Sequence, residues 1–414
     1  MTALLAIVAA LALGVCASGE HWSEAVIVED DAGALHINTS SHRPTQPVLL
    51  NGHDVLSMIA ANQQLIEAQE QLISNQTTLI ATLEQAMCDL HPPHLGRIPG
   101  AGTGGAKWAG GVLAPSNGLI YGVPRGATSV LIINPITNKL DTTSIAGLPD
   151  TDFKWHNGVL APSNNIIYCF PSNHDAVLKI DPATNTADWT TITGVGSETH
   201  KFRSGALGKN GLIYGIPHSA TSVLIIYPAT DTIDTTTLDG LAPEADKWWG
   251  GAVVPDDRIF CIPRAANAVL IINPTTNTLD TTSIAGIGLG LNKWIGAVLA
   301  RNGLVFGIPH TIDAVLVIDP ETLTADTTSI RGLGGGGAAW VGGALARSGK
   351  IVGIPHNARA VLIIDPEEMT ADATTLPLGD QSTGRFVEGV RGADGLVYAI
   401  PRDTDAVLVI DTGC

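Results

Sequence analysis

Residues 154–171 of the chain read KWHNGVLAPSNNIIYCFP, and residues 107–124 read KWAGGVLAPSNGLIYGVP. The two stretches are near copies, and further copies follow along the chain. The aromatic residue that opens each copy recurs at intervals of 46 or 47 residues. A fixed period of this length indicates a repeat architecture, in which each unit packs against its neighbours. The seven aromatic residues are Trp108, Trp155, Phe202, Trp248, Trp294, Trp340 and Phe386.

Each unit contains four short β patterns separated by Gly, Pro and Asn. In different units these read GGVLAP, GLIYGIP, VLIIDP and DTTSI, and we expect them to form strands one to four in that order. Repeated units of four strands are typical of β-propeller blades. The sequence therefore predicts an all-β domain over residues 94–414, folded as a seven-bladed β-propeller.

The seventh unit stops after VLVIDTGC, before a fourth strand. Upstream of the first unit, Ile98 precedes Lys107 by nine residues, just as Ile145 precedes Lys154. The segment HLGRIPG (94–100) is thus predicted to supply the missing strand and close the ring, which hides the sheet edges. This spacing aligns His94 with Asp326 of the fifth unit.

The same alignment places Cys88 and Cys414 two positions apart in one turn, within the Cα separation of about 4.4–6.8 Å that a disulfide needs. A disulfide that closes the ring is predicted, and an interchain bridge at Cys88 is the alternative. Cys169 and Cys261 occupy one slot in the second and fourth units, with a whole unit between them. They are expected to be buried, inert thiols.

The N-terminal region has a different composition. Residues 1–17, MTALLAIVAALALGVCA, are typical of a secretory signal peptide. Residues 18–51 show no periodicity and are expected to form a flexible lead. Asn38 and Asn75 lie in N-glycosylation sequons. Later segments are too polar to span a bilayer, so a secreted, extracellular protein is expected, without a membrane span after removal of the signal.

Residues 52–88 carry isoleucine or methionine at every seventh position and lack Pro and Gly after Gly52. This pattern predicts a coiled-coil helix through which copies of the chain self-associate. Polar residues at the second seam position would select register or strand number. The alternative is a single helix packed against its own domain. The apolar positions are Ile59, Ile66, Ile73, Ile80 and Met87, and the second seam holds Asn62, Gln69, Gln76 and Leu83.

The formal charge of the chain is −17. Residues 1–93 contribute ten acidic residues and one Arg, a net −9, which leaves −8 for the remainder. An acidic protein of this kind is a poor non-specific ligand for nucleic acid, so no nucleic-acid partner is predicted. No short motif for a phosphate, a zinc ion or an activated nucleophile is present, and the sequence identifies no cofactor.

Two repeat positions nevertheless concentrate charge. The position before the aromatic is cationic in six of seven units, and the position after the second-strand Pro holds Arg, His or Ser. Both rings are expected at one mouth of the central channel, where they would attract an anionic protein or glycan ligand. The alternative is that they serve the blades themselves, by stacking on rings or capping carbonyls. The rings are Lys107, Lys154, Lys201, Lys247, Lys293, Ala339 and Arg385, and Arg125, Ser172, His218, Arg264, His310, His356 and Arg402.

The two positions after the aromatic depart from the repeat in neighbouring units. There the second unit has His156-Asn157, the third has Arg203-Ser204, and Glu388 stands out in the seventh. These residues predict an asymmetric polar pocket beside the channel, with His156 and Glu388 as candidates for acid–base or metal-binding roles. Strand alternation is expected to put the two positions on different faces.

Six units also have an Asp shortly before Thr-Thr, at positions 141, 188, 234, 280, 326 and 372. Asp141, Asp234 and Asp280 are examples, and each is expected to bind turn amides rather than a metal ion. The stretch AVLIINPTTNTLDTTSIAG (268–286) shows the whole pattern: an apolar strand, an Asp or Asn turn with a Thr-Asn pair, and a Thr-rich end.

Units of this kind resemble the YVTN and NHL classes of propeller repeat. The resemblance covers residues 94–414 and implies a propeller, but these classes include adhesion modules, extracellular binders, lactonases and lyases. Three functions follow as hypotheses: an extracellular binding or adhesion module, a metal-assisted lyase or lactonase with a channel site, and a structural coat or matrix protein. The scarcity of channel carboxylates favours binding over catalysis.

Overall fold

A computed structural model describes the backbone of residues 25–29, 35–39, 49–50 and 53–90, and residues 92–414 except 335, 380–384 and 414. Helix side chains are described at 58–80 and 82. The predicted signal peptide, the Asn38 side chain and the Cys88–Cys414 disulfide lie outside the described residues and stay predictions. Internal contacts divide the chain into two units, Met1–Ala86 and Met87–Cys414.

The first unit contains regular structure inside the predicted lead. Strands Ala25–Glu29 and Leu35–Thr39 pair antiparallel, as do the two-residue strands Leu49–Leu50 and His53–Asp54. These strands were not predicted, because five residues are too few for an alternating pattern to stand out from an irregular segment.

A single helix, Val55–Leu90, follows and continues into the second unit. Its side chains at 58–80 are all exposed, and Asn75 of the second sequon accepts a hydrogen bond from Gln71 Nε2 at 3.1 Å. Among the described residues, no helix is both long enough and apolar enough to cross a membrane. Exposed apolar side chains of this helix are Met58, Ile59, Leu65, Ile66, Leu72, Ile73, Leu79 and Ile80.

The second unit confirms the predicted seven-bladed β-propeller: seven four-stranded antiparallel sheets, each ordered from the axis outwards. The first strands are Trp108–Ala114, Trp155–Ala161, Phe202–Leu207, Trp248–Val253, Trp294–Leu299, Trp340–Leu345 and Phe386–Arg391. The second strands are Leu119–Pro124, Ile166–Pro171, Ile213–Pro217, Ile259–Pro263, Val305–Pro309, Ile351–Pro355 and Val397–Pro401. The third strands are Leu131–Asn134, Leu178–Asp181, Leu224–Tyr227, Leu270–Asn273, Leu316–Asp319, Leu362–Asp365 and Ala406–Asp411. The fourth strands are Lys139–Asp141, Thr186–Asp188, Thr232–Asp234, Thr278–Asp280, Thr324–Asp326, Thr370–Asp372 and, for blade 7, His94–Pro99.

Residues 94–99 close the ring as predicted, because they pair antiparallel with Ala406–Asp411. The predicted register is wrong by two residues. His94 pairs with Asp411, whereas in blade 5 the residue paired with Asp319 is Thr324, so His94 corresponds to Thr324 and not to Asp326. The reason lies in the fourth strands of the other blades.

The prediction that DTTSI forms the fourth strand is wrong, because that strand ends at the Asp. In blade 1 the Asp141 carboxylate accepts hydrogen bonds from the backbone N–H groups of Thr143 and Ser144, at 2.7 and 3.0 Å. This Asx turn interrupts the ladder, which resumes where Val130 N–H donates to Ile145 C=O. The closing strand has no such turn and covers the same distance with two fewer residues. The turn role predicted for the Asp series is confirmed.

The Lys-Trp pair that opens most units serves the blade itself. Trp155 Nε1–H donates to Ala176 C=O at 2.7 Å, and Lys154 Nζ donates to Thr151 C=O at 2.8 Å. The structural alternative for the ring of cations before the aromatic is therefore correct, because those groups are buried and bind loop carbonyls. Equivalent bonds to carbonyls are made by Lys107, Lys201, Lys247, Lys293 and Arg385.

Cys169 and Cys261 are free and inaccessible to solvent, each packed in an apolar cluster between blades, as predicted. Burial raises the pKa of both thiols. We expect neither cysteine to react with a soluble maleimide in the native protein, and both to react once the protein is unfolded. Peptide mapping after labelling measures this residue by residue, and native labelling of Cys169 would contradict the packing.

Candidate functional site

Each first strand carries a β-bulge just after its aromatic residue, where the strands crowd around the axis. The residue two positions after the aromatic is left-handed in six blades, usually as glycine. At Gly250 the φ angle is +91°, and an added Cβ would lie 2.6 Å from the Gly296 Cα of the next blade. Glycine is needed here for both conformation and space.

Two blades keep this left-handed conformation without glycine, at a conformational cost. Asn157 and Glu388 take the same left-handed conformation, with φ of 53° and 63°. Residues other than Gly and Asn seldom adopt a left-handed backbone conformation, and backbone strain of this kind is concentrated at functional sites. Glu388 costs more free energy than Asn157, because its carboxyl group is also buried.

The seven side chains one position after the aromatic close the channel. Ala109, Trp249, Ile295, Val341 and Val387 form one buried apolar cluster. His156 and Arg203 hold the same position in blades 2 and 3. The resulting plug is apolar on one side of the axis and polar on the other.

Trp249 connects the members of this plug. The His156 ring stands edge-on to Trp249, with ring centroids 4.8 Å apart, and the Arg203 guanidinium carbon lies 5.2 Å from the Trp249 centroid. Trp249 Nε1–H donates across the axis to Glu388 Oε1 at 3.2 Å. The expectation that the two positions occupy separate faces is wrong for this pair, because the bulge breaks strand alternation.

Glu388 has few polar partners for a carboxyl group in this position. It is 8% exposed, and Trp249 supplies its one hydrogen bond among the described residues. Burial raises the pKa of Glu388 to about 7, an effect that the Trp249 hydrogen bond partly opposes. The carboxyl group therefore changes charge near neutral pH.

An alanine at position 342 is expected to destabilise the protein by roughly 2–4 kcal/mol. Its Cβ would lie 2.1 Å from Glu388 Oε2 and 2.8 Å from Glu388 Cα, at a φ of +74°. Gly332→Ala is the matched control, since φ there is +81° and no atom lies within 4 Å. Chemical unfolding of both variants separates the clash from the backbone cost, and equal losses would contradict the crowding at Gly342.

At the upper face of the plug, Arg203 of the plug itself converges with Arg125 and Arg264, which follow the second strands of blades 1 and 4. We call Arg125, Arg203 and Arg264, with Phe153 and Trp249, the upper cluster. The Arg125 guanidinium carbon lies 3.6 Å from the Phe153 centroid, and that of Arg203 lies 5.6 Å from it. Arg264 lies 5.4 Å from the Trp249 centroid. Cation–π contacts of this kind hold guanidinium planes in place.

Arg264 is the one arginine of the upper cluster with an ion pair among the described residues. Its Nη1 lies 2.7 Å from Asp246 Oδ1 and 2.9 Å from His218 Nε2. Burial, then Arg203 and Arg264, lower the pKa of His218, so its imidazole is neutral and accepts from Arg264. The 3.2 Å approach of His218 to Asp246 is accordingly not an ion pair.

Arg125 and Arg203 lack such partners. Within the described residues neither side chain has a hydrogen bond or an ion pair, and Arg125 Nη1 and Arg203 Nε are buried without an acceptor. The two residues are only 5% and 6% exposed. Burial and the neighbouring cations lower the pKa of Arg203 to about 9 and that of Arg125 to about 10. Both remain cationic at neutral pH.

The other predicted members of the ring after the Pro are distributed around the face. His310 Nδ1 and His356 Nδ1 contact the backbone carbonyls of Trp340 and Phe386, at 2.8 and 2.9 Å. Arg402 pairs with Asp403 at 2.9 Å. The Ser172 hydroxyl is buried without a hydrogen bond among the described residues, and Ser204 is buried in the blade 3 bulge. These residues flank the upper cluster without the unpaired charge found at Arg203.

Phe153, His200 and Asp246 were not predicted from the sequence, and they occupy one repeat position directly before the cationic residue. All three are left-handed, with φ of 56°, 58° and 62°. The His200 ring lies 5.1 Å from the Phe153 ring. A repeat alignment extended by one residue would have revealed them, because the same position holds Ala, Asn or Gly in the other blades.

His156 and Glu388, the candidate acid–base pair, do not contact each other directly, and each contacts Trp249. No hydrogen bond joins them in the described part of the chain, and His156 Nδ1 is buried without a partner. Burial, Arg203 and Arg125 lower the pKa of His156, so the imidazole is neutral. Residues 58–414, as far as they are described, contain no group of three His, Cys, Asp or Glu side chains placed to hold a metal ion.

Two cavities lie at the opposite, lower end of the channel. One of about 470 Å³ is lined by the ends of first strands, and one of about 540 Å³ lies beside the turn at 391–395. The upper cluster differs from these cavities because its unpaired charge is buried. We assign the anion site to the upper cluster because charge, not volume, determines anion binding.

Comparison with known proteins identifies the fold alone. No family model matches the chain, and no curated protein matches its sequence. Virginiamycin B lyase from Staphylococcus aureus is similar in structure, with a TM-score of 0.61 at 10% identity over 77% of this chain and 99% of that chain. The extracellular domain of a hybrid two component system from B. thetaiotaomicron gives 0.59 at 12% identity, over 77% and 43%. The WD40 propeller domain of Doa1 gives 0.54 at 11% identity, over 76% and 96%.

These similarities support the seven-bladed propeller and carry no residue over to this chain. The resemblance of the repeats to the YVTN and NHL classes stays a prediction. The fold occurs in a lyase and in an extracellular sensor-system domain alike, so function has to be argued from the site.

Proposed function

We propose that this chain is a secreted binding module whose upper cluster holds an anionic group, a carboxylate, sulfate or phosphate, of an extracellular ligand. The observation that carries the proposal is Arg203. Its guanidinium is buried beside two further arginines, without an acceptor in the described residues. A buried cation costs free energy unless an anion pairs with it.

The geometry of the upper cluster supports a ligand as that anion. Arg125 and Arg203 share the Phe153 ring, while Arg203 and Arg264 share the Trp249 ring. The aromatic rings fix the guanidinium groups before any anion arrives, so little side-chain entropy is lost on binding. Arginine forks match the oxygen pairs of carboxylate, sulfate and phosphate groups.

The charge balance also favours an anion. Asp246 pairs with Arg264, while Asp152, Asp403 and the cation Arg402 act on Arg125 without a hydrogen bond to it among the described residues. The neighbouring histidines His156 and His218 are neutral, so Arg203 keeps a positive charge that no carboxylate of the described residues contacts directly. The apolar part of the plug lies below the upper cluster. The electric field of the arginines is therefore focused into the solvent at the upper mouth of the channel. An anion with several oxygens, such as a sulfate, a phosphate or a sulfated glycan, fits this arrangement best.

A thermal-shift assay on the full-length chain tests the proposal. At constant ionic strength set with chloride, sulfate, phosphate, glucuronate and a sulfated disaccharide are compared with glucose and glucosamine. Ligands that bind the native state raise Tm by mass action. The proposal expects a shift with at least one anion that is lost in Arg125→Met. Equal shifts in Arg125→Met and wild type, or no shift with any anion, would contradict it.

We also propose that the helix Val55–Leu90 joins copies of the chain. Ile59, Ile66, Ile73 and Ile80 are 54%, 54%, 62% and 56% exposed, at the seven-residue spacing that an identical helix can bury. Light scattering with chromatography is expected to show an oligomer that Ile66→Asp with Ile73→Asp converts to monomer. The control changes Gln63 and Gln64 to Asp, and a monomeric wild type would contradict the proposal.

A second candidate function is a lyase or lactonase that uses Glu388 with His156. It is favoured by the pKa of about 7 at Glu388, which suits a general acid or base. It is disfavoured by the apolar plug around Glu388 and by the missing contact between the two residues. Turnover of a lactone that Glu388→Gln abolishes, with folding intact, would establish it over the binding module.

A further inference from the structure

The lower end of the channel has its own sevenfold ring, formed by the residue five positions after each blade aromatic. Six members are Leu or Val, and blade 7 has Arg391. The six aliphatic members are partly exposed where the first strands end, and Arg391 is exposed. We call this set the lower ring: Leu113, Leu160, Leu207, Val253, Leu299, Leu345 and Arg391.

Arg391 lies where two cavities meet. The cavity of about 470 Å³ is lined by Leu113, Leu299, Leu345 and Arg391 of the lower ring, with strand glycines above them. The cleft of about 540 Å³ shares Leu113 and Arg391 with it. Both volumes fall within the range of about 300–1,000 Å³ that is usual for small-molecule sites.

A second cation lines the same cleft from blade 6. The Arg347 side chain lies against the blade 7 turn, since a Cβ at Gly395 would be 3.0 Å from Arg347 Cδ. Arg301 Nη2 donates to the Arg347 carbonyl at 2.6 Å, which anchors the backbone and leaves the Arg347 guanidinium free. Among the described residues, no acceptor pairs with the guanidinium of Arg347 or Arg391.

The acidic residue of the cleft does not neutralise this pair. Asp394 Oδ2 accepts the Tyr398 hydroxyl hydrogen bond at 2.6 Å, and Oδ1 accepts the Leu396 N–H at 3.1 Å. Asp394 is thereby held on its own turn, where it contributes one negative charge against two arginines. The cleft keeps a net positive charge beside an aliphatic rim.

We propose that the lower ring binds an aliphatic carboxylate, with the carboxylate held by Arg391 and Arg347 and the hydrocarbon body across Leu113, Leu299 and Leu345. The arginine fork recognises the carboxylate oxygens, and burial of methylene groups on the leucines supplies the remaining affinity. This site is separated from the upper cluster by the plug, so it does not depend on the proposed function.

Isothermal titration of the full-length chain with hexanoate, octanoate and decanoate tests this inference. Affinity is expected to rise by roughly three- to fourfold per added methylene group until the rim is covered. Octyltrimethylammonium and octanol are expected to bind at least tenfold more weakly than octanoate, because neither pairs with arginine. Equal binding of the ammonium compound would overturn the proposal.

Variants place the binding at the lower ring. Arg391→Leu restores the residue type of the other six blades, so it is expected to fold and to lose octanoate binding by at least tenfold. Leu345→Trp is expected to block the cavity with Arg391 intact. Arg264→Met, which alters only the upper cluster, is expected to keep octanoate binding. Loss in Arg264→Met with retention in Arg391→Leu would overturn the inference.

Discussion

Replacing Arg203 by methionine is expected to stabilise the ligand-free protein by about 1–4 kcal/mol at pH 7 and to abolish its response to anions. The guanidinium is buried without an acceptor among the described residues, and burial lowers its pKa to about 9. A base whose pKa is depressed by folding destabilises the native state at every pH below that value. Methionine keeps much of the volume and removes the charge.

Urea unfolding at pH 7 measures this change, and thermal shifts with sulfate measure the lost response. Arg258→Met is the matched control: Arg258 also lies over an aromatic ring, 5.2 Å from the Phe260 centroid, but pairs with Asp256 at 2.7 Å. It is expected to be neutral or slightly destabilising. An Arg203→Met protein that is less stable than wild type would show that the arginine serves the fold rather than a ligand.

Glu388→Gln is expected to stabilise the protein by about 3 kcal/mol at pH 8 and by almost nothing at pH 4. Burial raises the native pKa from an ordinary 4.5 to about 7, and each unit corresponds to about 1.4 kcal/mol. An acid whose pKa is raised by folding loses stability as pH rises from about 4.5 to 7, and the full cost remains above 7. Glutamine keeps an acceptor for Trp249 and the left-handed backbone, so the charge alone is tested.

Unfolding free energies of wild type and variant across pH 4–8 give the result directly. Glu367→Gln, on an exposed turn of blade 6, is the control. Its difference in unfolding free energy from wild type is expected to be the same at every pH. A constant difference between Glu388→Gln and wild type at all pH values would contradict the buried, titrating carboxyl group. A variant that gains stability but loses an activity would move Glu388 from the plug to a catalytic role.

The repeat period and the ring closure could be predicted from sequence because both depend on spacing alone. Ile98 identified the closing strand, since its distance to Lys107 repeats that of Ile145 to Lys154. The register of His94 could not be predicted, because the two residues absorbed by the Asx turn at Asp141 are not apparent from composition. Thr-rich DTTSI has high β propensity, yet the Asp side chain competes successfully for the backbone N–H groups.

The site was predictable in part, and for a comparable reason. Departures from the repeat identified His156, Arg203 and Glu388, which do gather at the axis around Trp249. The contact between Trp249 and Glu388 could not be predicted, because the β-bulge brings the two residues together against the strand alternation. Phe153 was missed because its position lies one residue before the repeated Lys-Trp pair. Its ring contacts both the Arg125 and the Arg203 guanidinium groups.

The two ends of the channel illustrate how different signals locate different sites. At the upper end, buried arginines without acceptors among the described residues indicate an anion. At the lower end, cavities and one exceptional residue in an otherwise aliphatic ring indicate an amphipathic acid. Separation by the plug predicts that the two ligands bind independently, without mutual effects on affinity.

The central claim is that an anion completes the upper cluster. Anomalous diffraction from crystals grown without sulfate and soaked in selenate, an isostere of sulfate with a strong anomalous signal, tests it most directly. The account predicts a selenium peak within hydrogen-bond distance of Arg203 and of Arg125 or Arg264. Selenium peaks confined to other surface arginines and lysines, with Arg203 still unpaired, would contradict it.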